Sequence, residues 1–170
     1  SPTNLATIPI SVVFTEDVTQ FEGTDLQLAN CTLQSFTQVS GSEYSIVIEP
    51  VSEGWLYVDI AAGVALDSVG HGNTAATRFE IESDTTHPTP KLTTSALSPT
   101  NLYSVELLIQ FDEAVGPFNN TDITVINGIA EEPVAIGNND FTAIINYVAE
   151  GDLTVYIAEG AITDISGNPC

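Results

Sequence analysis

Five carboxylates stand where metal chemistry could be done. Glu16 recurs as Glu113 and Asp67 as Asp164, each pair 97 positions apart (113 − 16 and 164 − 67), and Asp84 stands between the two copies. Hard oxygen donors in this number suit Ca²⁺, which takes about six to eight oxygens in a forgiving geometry. The same residue types also close turns by accepting backbone N–H groups, and the sequence leaves both roles open. His71 and His87 offer nitrogen to Zn²⁺, but neither recurs in the other copy and no cysteine pair accompanies them, so they read as surface histidines. No Gly-x-Ser-x-Gly elbow, Walker loop or His-Glu-x-x-His helix is present. Paired carboxylates for glycoside hydrolysis need a groove that a small β-rich unit does not offer. The chain is expected not to be an enzyme.

Other side chains carry narrower expectations. Cys31 and Cys170 sit at non-equivalent positions of the two copies, which excludes a framework disulfide inside each. Either both are free or each pairs outside its own copy, with an intermolecular bridge as one outcome. Asn30-Cys31-Thr32 and Asn119-Asn120-Thr121 fit the N-glycosylation pattern and should fall on turns or loop tips. Trp55 and Tyr57 share the outward face of one strand, where they could stack on a sugar; shielding of an edge or linker is the plainer reading. Lys91 is the only lysine, so copy one has no donor for an intramolecular Lys–Asn isopeptide bond.

The charge narrows the partners. With 23 acidic against 2 basic residues the net charge is −21, which repels nucleic acid and anionic lipid headgroups. Nucleic acid and direct membrane insertion are therefore not expected, whereas a divalent-rich extracellular or cell-surface setting suits the carboxylates. No signal peptide, bilayer-length apolar run or anchor sequence occurs, and the chain reads as a mature piece of something longer.

The elements that position these residues are written twice. Ser1-Pro2-Thr3-Asn4-Leu5 returns as Ser98-Pro99-Thr100-Asn101-Leu102, and Phe14/Phe111, Val18/Val115, Phe21/Phe118, Asn30/Asn127, Leu56/Leu153, Gly63/Gly160 and Gly70/Gly167 follow in register without a gap. This is a tandem repeat. Ile8, Ile10, Val12 and Phe14 alternate as one face of a strand, mirrored by Val105, Leu107, Ile109 and Phe111. Residues 25–29 read as a short strand, Tyr44, Ile46 and Ile48 as another, Leu56, Val58 and Ile60 as a fourth, and 77–82 as a last one. Turn signals fall at 16–19, 40–42, 53–54 and 138–140. Valine, isoleucine and threonine abound and methionine is absent, so helix is not expected. Pro88 and Pro90 stiffen the linker Ser83–Pro90, after which 91–95 opens copy two. Copy one has no counterpart of 91–95 and copy two none of 77–82. The chain is thus expected to be a slice of an array, or to carry open edges that identical chains fill head to tail.

These patterns in this order resemble the bacterial immunoglobulin-like repeats of large surface adhesins and other multidomain extracellular proteins. The resemblance rests on Ser-Pro-Thr-Asn before the first inner strand, Phe14-Thr15-Glu16-Asp17-Val18 with Phe21 and Thr24-Asp25-Leu26, the Asn30 turn, the Gly63–Asp67 run ending in Gly-x-Asn, and the linker Asp84–Thr89. It implies an all-β chain of two tandem immunoglobulin-like β-sandwiches, residues 1–84 lacking the first strand and 85–170 lacking the last. It further implies a non-catalytic stalk, spacer or filament, with glycan or protein adhesion and strand exchange between identical subunits as alternatives. In a sandwich the loops after alternate strands gather at one end. Glu113 should therefore meet Asp164, and Glu16 Asp67, with Asp84 completing an oxygen shell for Ca²⁺ at the junction.

Overall fold

The computed structural model describes residues 2–137 and 139–170. Ser1, which opens the repeated motif, and Asn138, which opens one turn signal, lie outside the described residues. The chain divides into two compact units, residues 1–85 and 86–170, and no α-helix occurs among the described residues.

Unit 1 contains β1 (Ile8–Val13), β2 (Leu26–Ala29), β3 (Cys31–Gln38), β4 (Glu43–Pro50), β5 (Gly54–Ile60) and β6 (Phe79–Ser83). They form two antiparallel sheets, β1-β4-β3 and β2-β5-β6. The alternating apolar faces meet between the sheets: Ile8, Ile46 and Ile48 from one pack with Leu26, Leu56, Val58 and Ile60 from the other. Ile46, Ile48 and Leu56 are fully buried, each such side chain contributing about 1.5–3 kcal/mol. Phe14, Phe21, Phe36 and Tyr44 close one end of this core as edge-on and tilted ring pairs.

Unit 2 contains β7 (Pro90–Thr93), β8 (Ser104–Phe111), β9 (Ile123–Ile126), β10 (Gly128–Ala130), β11 (Val134–Ala135), β12 (Asp140–Tyr147) and β13 (Thr154–Ile157). One sheet runs β10-β12-β8-β7 with β11 also on β12, and the other is β9-β13. Shifted by 97, β9 and β12 coincide with β2 and β4, and the 3-10 turn Asn120–Asp122 with Gly23–Asp25. Phe111, Phe118 and Phe141 repeat the aromatic closure.

β3 has no clear period in the sequence. A bulge between Leu33 and Ser35 puts Leu33 and Phe36, three apart, against the core, so strict alternation fails. In unit 2, Pro133 stands where Phe36 would be and the strand divides into β10 and β11, because proline has no N–H to give the ladder. Two edges differ between the units. Among the described residues, β8 carries β7 beside it, whereas β1 pairs only with β4; β5 carries β6, whereas β13 pairs only with β9.

Candidate functional site

At one pole of each unit, the turn after the first long strand faces a glycine-rich loop, residues 61–73 in unit 1 and 158–170 in unit 2. In unit 1, Asp67 Oδ1 accepts the N–H groups of Val69 and His71, both at 2.8 Å, and His71 Nδ1 lies 3.0 Å from Oδ2. In unit 2, Asp164 Oδ1 accepts from Ser166 N and Asn168 N, both at 2.8 Å, and Oδ2 from Asn168 Nδ2 at 2.8 Å. The aspartate N–H in turn reaches the carbonyl of His71 or Asn168 at 2.9 Å. Gly70 and Gly167 make this tight return, with φ of 90° and 95°, a region where a Cβ clashes. Turn closure is therefore the role the geometry shows for both aspartates.

The electrostatics follow from those bonds. The His71 N–H holds the Asp67 carboxyl below the usual carboxylate range, against partial desolvation and with help from the Val69 N–H and the His71 ring. At Asp164 desolvation pushes upward, but the Asn168 amide and the N–H groups of Asn168, Ser166 and Gly167 together outweigh it and hold the carboxyl low. Asp164 is buried, at 3 % exposure, and stays ionised because the donors replace water.

Glu16 and Asp67 line one cleft of unit 1. Carboxylate oxygens of Glu113 and Asp164 approach within 4.8 Å of one another. Asp84 follows β6, half-buried, with its N–H on Thr3 O at 3.0 Å. His71 is exposed, as is His87, but His87 also has a tethering role: its Nδ1 donates to Pro169 O at 2.6 Å. Since a carbonyl only accepts, Nδ1 carries the hydrogen.

Cys31 and Cys170 are free thiols. Cys31 is buried in the core of unit 1, where desolvation pushes its thiol up and leaves it inert. A bridge to an outside thiol would require Cys31 to leave that core. Cys170 Sγ lies 3.6 Å from Ala158 O, the position from which Asn73 Nδ2 donates to Ala61 O at 2.9 Å in unit 1. The thiol thus stands in for a turn-closing amide.

Asn30 and Asn119 fall on turns. Asn30 adopts φ 58° and its Nδ2 donates toward the carbonyls of Ser52, Glu53 and Trp55. Asn127 repeats this at φ 64° with Ala149 O and Asp152 O. Asn119 Oδ1 caps the 3-10 turn by accepting from Thr121. Trp55 and Tyr57 face outward on β5, but β5 lies between β2 and β6, so they shield no sheet edge. Arg78 stacks 4.9 Å above the Tyr57 ring and holds the Asp59 carboxylate at 2.7 Å, a contact the sequence signals only by a lone arginine opposite an outward aspartate.

No helix among the described residues is long and apolar enough to cross a membrane. Comparison with curated proteins and with solved structures returned no match. Residues 2–82, nearly the whole of unit 1, match the family model described as bacterial Ig-like domain. With its two facing antiparallel sheets and a topology that unit 2 repeats, unit 1 belongs to the bacterial Ig-like domain family.

Proposed function

We propose that the chain is a non-catalytic structural stretch of an extracellular or cell-surface array, working through the length and stiffness of repeated sandwiches. The observation that carries this reading is the use of Asp67 and Asp164: both recurring aspartates accept the backbone N–H groups that close their loops. Anchoring of the linker adds support. Thr85 is held to unit 1 by the Glu53 carboxylate, at 3.0 and 2.7 Å, and His87 and the buried Pro88 belong to unit 2. A tandem duplication of the chain should about double the maximum dimension in solution scattering. An unchanged dimension, or retention on immobilised glycan that Trp55→Ala abolishes, would overturn the spacer reading.

Calcium is proposed at the Glu113–Asp164 pole of unit 2, where the carboxylate oxygens of these two residues approach within 4.8 Å. The Asn168 amide and the N–H groups of Asn168, Ser166 and Gly167 already donate to Asp164, about as many as the four lone-pair positions of a carboxylate, so an ion there would share or displace a turn-closing donor. Bound at about a hundred times its Kd, the ion would add about 2.7 kcal/mol. Melting with calcium and with chelator should therefore shift the transition of unit 2, and coincident curves would remove the ion from the proposal.

A further inference from the structure

Unit 2 displays how its own linker is seated. His87 Nδ1 donates to Pro169 O, Pro88 is fully buried, and Thr89 N–H donates to Asp112 Oδ1 at 2.7 Å. Residues Pro90 to Thr93 then pair antiparallel with Phe111 back to Leu108. Subtracting 97 lays the same track on unit 1, with Gly72 for Pro169, Thr15 for Asp112, and Phe14, Val13, Val12 and Ser11 for the paired residues of β8.

That track carries no strand on unit 1, where β1 pairs only with β4 among the described residues. At its head lies a cleft of ≈ 240 Å³ walled by Val12, Phe14, Glu16, Asp67, Gly72 and Ala75. Val13 along its course is 68 % exposed.

We propose that this cleft and the adjoining edge of β1 bind an extended, proline-containing inter-repeat linker with the chemistry of residues 86–95. Its proline enters the cleft and the next four residues add a strand to β1. The inference rests on the array reading above. Proline suits the cleft because it brings no N–H to be left unsatisfied and holds the chain extended. The open β1 edge supplies main-chain partners, the usual basis of strand addition. Charge is complementary: residues 1–85 carry 12 carboxylates against the single Arg78, whereas residues 86–95 carry Lys91 and no carboxylate.

The test adds a synthetic peptide of residues 86–95 to the full 170-residue chain and follows amide exchange. Edge amides between Ser11 and Thr15 should slow by about tenfold or more at saturation, while those of β8, already covered by β7, stay unchanged. Peptides with Pro88→Ala or Leu92→Ser, which cannot affect folding of the protein, should lose the effect. So should the chain with Ala75→Trp, an exposed loop position whose larger side chain fills the cleft. No slowing at millimolar peptide, equal slowing by the altered peptides, or protection that vanishes in about 0.5 M salt as bulk charge attraction would, overturns the docking. Scattering of the tandem duplication reads length alone, so either reading can fail while the other stands.

Discussion

The poles of the two units are one loop built twice, and they part at the side chains around it. Asp67 and Asp164 accept equivalent backbone N–H groups at the same distance, over glycines of nearly the same φ. Facing the second carboxylate oxygen is an exposed histidine in unit 1 and a buried asparagine in unit 2. Asn73 closes its loop by an amide, Cys170 by a thiol. Beside the loop, unit 1 has an open cleft, whereas His87 is bonded to the Pro169 carbonyl of the loop in unit 2, next to the buried Pro88 in the chain. The comparison teaches that the same backbone closure on an aspartate coexists with different side-chain partners, and that an ionised acceptor strengthens the converging N–H bonds.

The largest expected effect tests how far the two units are alike. Ile48 and Ile145 are both fully buried and lie at equivalent register, opposite Ile8 and Val105. Ile48→Ala and Ile145→Ala should each destabilise their own unit by about 3 kcal/mol in urea unfolding. A gap between them above about 1.5 kcal/mol would mean that the cores are not equivalent. Next comes the pole. Asp164→Ala removes the hydrogen bonds from Ser166, Gly167 and Asn168 at a buried site and should lower the stability of unit 2 by about 2 kcal/mol. Asp67→Ala, at a wetter site, should cost less; the reverse order in the same titration would break the comparison.

The smallest effect is in acid. Both aspartates have folded pKa values below their unfolded value of about 3.9, so their stabilisation is fully present above that pH and is lost as pH falls through the folded values. The difference in melting midpoint between the parent chain and Asp164→Asn should be constant from neutrality to about pH 5 and shrink below about pH 4. A difference that widens on acidification would contradict the sign.

Much of the fold was legible because burial writes itself into alternation. Val105, Leu107, Ile109 and Phe111 read as one inward face and are one, and the repeated Asn30/Asn127 and Gly70/Gly167 mark positions where the backbone turns left-handed. β3 was not legible, since its bulge erases the period that would announce it. Nor was the role of Asp67 and Asp164 decided, because calcium ligation and turn closure call for the same residue type.

From sequence alone came the 97-residue period, the all-β class, the two-unit division and the acidic loop pairs, all properties of local pattern and spacing. Only the tertiary structure decided that Cys31 lies in a core, that Arg78 covers Tyr57, that Pro88 is buried, and that a cleft opens at one end of β1. These depend on which surfaces meet when two sheets close on each other, and a one-dimensional pattern specifies that a face is buried without saying what it is buried against.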